Sequence, residues 1–222
     1  MGSNGLEGAW RESFELAWEA FRARTIPVGA VVVNGSGTIV ARGRNRVFEE
    51  HPPRGQLAGT YLAHAELNAL AGLPLHKTRD GRGPFDDHIL YTTLEPCALC
   101  MGAALMTMVG EVRFASADHY GGGRGFRLEN PHTARLPLVL TGPLEGLLGD
   151  FGTILHVAFF LWRRPDGPVV ASHREQSTDL VELAEAIDLM AAAEAGASLE
   201  DALALVGSLR VEDDRHRAVV DE

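Results

Sequence analysis

Residues 88–108 read HILYTTLEPCALCMGAALMTM, and the change of pattern inside this stretch decides the fold. His88–Thr93 is a short apolar and β-branched run of strand length, and such a run bounded by turn signals reads as a buried strand. Pro96 follows directly, and proline is well placed in the first turn of a helix, where its missing N–H costs nothing. Cys97–Met108 is rich in alanine, leucine and methionine and forms that helix. A buried strand running straight into a helix implies a layered α/β domain.

The same alternation extends outward. On the N-terminal side, AHAELNALAGL from Ala63 is helical and stops near Gly72 and Pro74. The long loop Glu49–Thr60 precedes it, with Pro52, Pro53, Gly55 and Gly59 opposing regular structure. Before that come two strands, Val28–Val33 and Thr38–Arg42, joined by Asn34-Gly35-Ser36-Gly37 as a hairpin. The spacing of Leu6, Trp10, Phe14, Leu16, Ala17 and Phe21 predicts an amphipathic helix from Leu6 to Arg24. A polar loop runs from Pro74 to Asp87. On the C-terminal side lie a strand over Glu111–Ala115, the glycine-rich Gly121–Gly125, a strand over Leu138–Leu140 and a helix across Glu145–Arg163.

After Arg164 the texture changes. Arg164–Pro168 reads as a linker, and Ser177 caps a helix carrying Leu180, Leu183, Ala184, Ile187, Met190 and Ala191 on one stripe. Gly196 ends that helix. Ser198 and Asp201 form a capping box that opens another, with Leu199, Leu203, Val206 and Leu209 on one face. The chain thus divides into a body, 1–164, and a helical extension, 165–222, the latter read as a helical hairpin packed on the body or on a second subunit.

Composition bounds the class. With 222 residues, 45% hydrophobic and 23% charged, the chain is an ordinary globular protein with ample material for a core. No segment approaches the roughly 18 to 20 uninterrupted apolar residues of a membrane span, and MGSNGLEGAW lacks a signal-peptide pattern. A cytoplasmic protein with no membrane partner is expected. The net charge of −10 belongs to the extension, which holds 14 acidic and 4 basic residues, whereas the body is neutral. A neutral body lacks the basic stripe that nucleic-acid phosphates call for, so nucleic acid is the less expected partner.

Cys97 and Cys100 are the only cysteines, too few and too close for a disulfide framework. Placed three apart at a helix start they face the same way, where helix-terminal N–H groups favour thiolates. His64 from the other helix makes a third ligand. Three N/S donors suit zinc with its fourth tetrahedral position open, as catalysis requires, and a water there loses a proton near neutral pH. Glu66 lies two residues from His64, so the two converge only at a helix end with the metal beyond it. A carboxylate so placed can move protons as general acid and base. Taken singly, His64 and Glu66 are ordinary helix residues and a lone CxxC is common; the information lies in their combination.

That combination, His64-x-Glu66 with Pro96-Cys97-x-x-Cys100, resembles the signature of zinc deaminases. Together with Pro27–Val33, Ala41–Asn45 and Thr93–Ala103 it is similar to the cytidine/deoxycytidylate deaminase-like superfamily, in the branch of tRNA adenosine, guanine and related nucleoside deaminases. The likeness runs from about Gly8 to Arg164. It implies a three-layer α/β/α sandwich around a mixed five-stranded sheet, a Zn2+ cofactor and a homodimer. By the same likeness Asn45 bonds the base or sugar, Val28 lines the pocket, and the N–H groups of Ala65 and Cys97 meet polar groups at the reacting carbon. Asn45 reads equally well as a turn residue closing the second strand.

Departures from the family bear on substrate. His51–Leu57 and Gly59–Tyr61 lengthen the approach to His64, and Leu62 precedes Ala63. Tyr120 stands about where guanine-acting relatives carry an acidic residue, which disfavours guanine unless Asp118 or the tail substitutes; Tyr120 or Phe126 is a candidate to stack on a base. Phe159, Phe160, Arg163 and Arg164 are similar to the closing helix of tRNA deaminases. The expected activity is deamination of a small nucleobase or nucleoside. The alternatives are adenosine-to-inosine editing of tRNA and an inactive zinc-stabilised binding protein.

Overall fold

The structure, a computed structural model, describes residues 8–74, 85–126, 131 and 133–220, the last nine as backbone only. Leu6 and the part of the polar loop over 75–84 lie outside it. Helix α1 (Gly8–Arg22) leads into the hairpin β1 (Gly29–Val33) and β2 (Ile39–Arg44). Then follow α2 (Ala65–Leu70), β3 (Phe85–Leu94), α3 (Ala98–Thr107), β4 (Val109–Ser116), β5 (Val139–Thr141) and α4 (Leu147–Arg163). The sheet order is β2-β1-β3-β4-β5. β1 pairs antiparallel with both β2 and β3, with Val31 opposite Arg42 and Tyr91. β3, β4 and β5 run parallel, Thr92 beside Phe114 and Glu111 beside Val139. The sheet is mixed and five-stranded, as the resemblance implied.

Two apolar layers cover its faces. Val28, Ala30, Val32, Leu90 and Val112 pack against Ala65 and Ala69 of α2 and Met101, Ala104 and Leu105 of α3. On the other side Phe14, Trp18 and Phe21 of α1 meet Phe151, Ile154, Leu155 and Phe159 of α4. β1 is buried along its whole length because both faces are covered, which is why its sequence is a continuous apolar run without alternation. Two glycines set how closely helices approach this sheet. A Cβ on Gly29 would lie 2.1 Å from the Ser13 carbonyl oxygen of α1, and one on Gly43 would lie 2.3 Å from Ala65 O and Ala69 N of α2.

The extension departs from the expected hairpin. It forms four helices: α5 (Pro168–Gln176), α6 (Thr178–Ala186), α7 (Leu189–Glu194) and α8 (Leu199–Val220). Pro168 is not linker but the start of α5, behind an N-cap at Gly167. The stripe from Leu180 to Ala191 is broken at Ile187, which is extended, and at Asp188, whose side chain accepts a hydrogen bond from Ala191 N at 2.8 Å and caps α7. Ser177 makes no side-chain cap, whereas the Ser198–Asp201 capping box forms in both directions, at 3.1 and 2.9 Å. Val181, Leu189, Leu199, Ala202 and Val206 join the cluster built on α1 and α4, so this apolar layer is continuous from body to extension. Trp18 Nε1 donates to Ala197 O at 3.0 Å, and Arg11 and Arg24 pair with Glu200 and Glu194. Among the described residues no helix is long and apolar enough to cross a membrane.

Because α2 sits directly on Gly43, Gly43→Ala forces backbone apart rather than filling space. A loss of about 1–3 kcal/mol is expected, seen as a lower urea midpoint at unchanged slope, and displacement of the α2 N-terminus should weaken metal binding in parallel.

Candidate metal centre

The N-termini of α2 and α3 meet at one end of the sheet. His64 is the N-cap of α2 (φ −75°, ψ 153°) and Cys97 the N-cap of α3 (φ −69°, ψ 173°), both extended and both free to turn their side chains beyond the helix end. Pro96 therefore precedes the cap instead of entering the first turn, as the sequence had suggested; the extended backbone at Cys97 makes it the boundary. Cys100 lies in the first turn of α3.

His64 Nδ1 is 3.6 Å from Cys97 Sγ and 3.4 Å from Cys100 Sγ, and the two sulfurs are 3.7 Å apart. Bond lengths of about 2.3 Å to sulfur and 2.0–2.1 Å to nitrogen place tetrahedral zinc donors about 3.8 Å (S to S) and 3.6 Å (N to S) apart. The three atoms thus have the dimensions of one face of a zinc tetrahedron. The donor set fits the ion on size as well as chemistry.

The electrostatics agree. A hydrogen bond from the Cys100 thiol, with the His64 ring close by, outweighs burial and draws the Cys97 thiol down to about 4. Cys100 is driven up, first by that same shared bond and then by burial, and His64 is raised by its bond to Cys97. Of the pair, Cys97 is the thiolate; a bound cation would displace the proton of the other thiol, releasing it to solvent. Glu66, the second residue of α2, is 4% exposed, and burial raises its carboxyl above the usual range despite the nearby His64. Thr92 Oγ1 donates to its Oε1 at 3.4 Å.

These groups open on a cavity of about 460 Å³. Val28, Asn45, His64, Glu66, Cys97 and Tyr120 all line it; Ala65 does not, being fully buried. Asn45 shows both of its sequence readings at once. Its Oδ1 accepts from Thr25 Oγ1 (2.8 Å) and Val47 N (3.0 Å), closing the turn, which leaves the amide nitrogen as the group able to face a ligand. Tyr120 is 56% exposed at the rim, and Phe126 lies outside the lining. Phe160 and Arg164 are lining residues, while Arg163 stacks on the Phe48 ring at 3.7 Å.

Several wall residues escaped sequence reading: Ile26, Phe48, Glu95, His156 and the α5 residues Pro168 and Val169. A histidine inside the apolar run GTILHVAFF was the one visible signal for His156. Glu95, 3% exposed, pairs with Arg124 Nη2 at 2.8 Å and accepts from Arg124 N at 3.1 Å, fixing the glycine-rich loop against the cavity.

A sheet of this order thus carries an N,S,S donor triangle at two helix N-termini with a buried carboxylate beside it. The family model for the cytidine and deoxycytidylate deaminase zinc-binding region matches residues 4–116, and the chain belongs to that family. It is 39% identical over 124 residues to the tRNA(Ile)-lysidine synthase of Deinococcus radiodurans, covering 54% of this chain and 19% of that one. With the tRNA-specific adenosine deaminase of Haemophilus influenzae it shares 32% over 126 residues, covering 54% and 64%. The matches thus span less than two thirds of either relative's length. A solved guanine deaminase from Nitrosomonas europaea superposes with a TM-score of 0.50 at 25% identity, over 66% of this chain and 80% of that one.

Cys97→Ala removes one corner of the triangle. Elemental analysis of the purified variant should show the zinc at this centre reduced to a small fraction of an equivalent; undiminished metal would exclude Cys97 as a ligand.

Proposed function

We propose that this protein hydrolytically deaminates a small nucleobase or nucleoside, with His64, Cys97 and Cys100 holding the ion and Glu66 moving protons. The observation that carries the choice of substrate is the lining of the cavity. Arg164, Gly167, Pro168 and Val169, where the extension begins, line the same chamber as His64, Glu66 and Cys97. The resulting space, about 460 Å³, is the size of a small-molecule site. A heterocycle fits between the apolar surfaces of Val28, Ile26 and Phe48, with the Asn45 amide available to an acceptor on base or sugar.

The ion, when bound, supplies Lewis acidity that makes water nucleophilic near neutral pH. Glu66 provides the proton path. Burial raises its carboxyl above the usual glutamate range, the direction that favours a group which both accepts and releases a proton. It takes one proton from the attacking water and delivers it to a ring nitrogen or to the departing amine. The oxygen of water replaces the amino group, and ammonia leaves. Thr92 holds the carboxyl in orientation, and Pro168 and Val169 of α5 add apolar surface to the chamber.

Editing of a tRNA adenosine is the second reading, supported by the Haemophilus influenzae relative and by Arg163 and Arg164 near the mouth. Against it, Arg44 and Arg46 are largely buried and their two charges are matched by Glu49, which pairs with both, and by Glu19, which pairs with Arg44. A binding protein without activity would have no use for a buried carboxylate beside three metal donors.

Glu66→Gln should retain zinc and lower kcat by about 100- to 10,000-fold, measured as ammonia release across cytosine, adenine, guanine, their nucleosides, and pterin and triazine analogues, with a tRNA transcript alongside. Turnover of the transcript alone would overturn the small-substrate reading, and full activity of the variant would remove Glu66 from the mechanism.

A further inference from the structure

At the wall of the same cavity a second group of ligating side chains converges. Asp118 follows β4, His156 lies in α4 and His173 in α5, and one ligating atom from each lies within 4.8 Å of the other two. Three points so spaced fit inside a circle of radius about 2.8 Å, so inward shifts of about half an ångström or more give transition-metal bond lengths near 2.0–2.2 Å.

The histidines lie deep in the protein and lack partners where partners are needed. His156 is 5% exposed and His173 fully buried. Among the described residues four buried side-chain atoms have no hydrogen-bond partner, and His156 Nδ1 and His173 Nε2 are two of them. Such groups call for an explanation, a bound ion being one. His173 is also prepared as a ligand. Its Nδ1 donates to Val169 O at 2.9 Å, which fixes the tautomer and leaves Nε2 as a bare lone pair. This is the second interaction that metal-binding imidazoles characteristically make. Asp118 is held similarly, its Oδ1 accepting from Tyr120 N and Gly121 N, both at 2.9 Å.

We propose that Asp118, His156 and His173 form a second divalent-metal site, for an ion of the Zn2+, Co2+ or Fe2+ type, which ties the extension to the body at the cavity wall. Two imidazoles and one carboxylate suit borderline transition ions rather than Ca2+ or Mg2+. Two of the ligands, Asp118 and His156, line the cavity, so the ion sits on the wall of the substrate chamber. The site needs α5: without His173 only two of its three donors remain.

The two centres are separable by cobalt titration of chelator-stripped full-length protein. Cys97 and Cys100 give sulfur-to-cobalt charge-transfer absorption with one equivalent; the second equivalent should bind without it. His173→Gln and Asp118→Asn should each weaken the second equivalent at least tenfold while leaving the thiolate band intact. Asp118→Asn keeps the turn-forming oxygen, so it decides the matter should His173→Gln fail to fold. Elemental analysis should agree, with two equivalents of zinc in the wild type and one in the variants. A single equivalent in wild-type protein, or two retained in Asp118→Asn, would overturn the proposal, and neither result bears on the deaminase reading.

Discussion

Parallel pairing of β3 with β4 obliges the chain to cross from one end of the sheet to the other, and α3 is that crossover. Its N-terminus is thereby fixed beyond the C-terminal end of β3, where Cys97 leaves the strand direction and caps the helix. α2 arrives at the same end by a different route, lying across β2 on the bare backbone of Gly43. With both helix starts pinned to one sheet, three donor atoms from two distant segments settle within 3.4–3.7 Å of one another. At the start of α3 the Cys100 backbone N–H adds to the groups that favour the Cys97 thiolate.

Burial then divides the labour among neighbouring groups. Glu66 sits one residue deeper in α2 than Ala65, and the loss of water around it raises its proton affinity, whereas the Cys97 thiol, bonded to Cys100 and His64, is held well below the usual thiol range. One helix start therefore places a candidate metal donor, His64, beside a buried carboxylate, Glu66. The apolar layer of α1 and α4 continues without a gap into α6, α7 and α8, which is what holds α5 over the chamber although its own sequence is only weakly amphipathic.

Much of this was legible beforehand for reasons that are local. The hairpin of β1 and β2 has its turn written in Asn34–Gly37, and the capping box at Ser198 satisfies itself within four residues. The motif residues were readable because a shared metal restricts donor type at each position, and their placement at helix starts followed from the need for His64 and Glu66 to converge. What failed was tertiary. The stripe over Leu180–Ala191 suits one helix, but Asp188 finds a better local partner in Ala191 N and splits it. Pro168 carries the same signal in a linker as at the first residue of a helix. His156 and His173 gave no usable pattern, since a histidine's role depends on what faces it across the fold.

The chamber wall has one more implication, for how far likeness reaches. The family match ends at residue 116, and it takes in the ion's ligands, Glu66, and the Val28 and Asn45 side of the cavity. The opposite side, from Asp118 and Tyr120 through His156 to Pro168 and Val169, falls wholly beyond it. Two chains can therefore align well and share their chemistry while enclosing differently shaped chambers. For this protein, likeness to a relative extends to the donor triangle and Glu66 and stops short of the lining residues beyond 116.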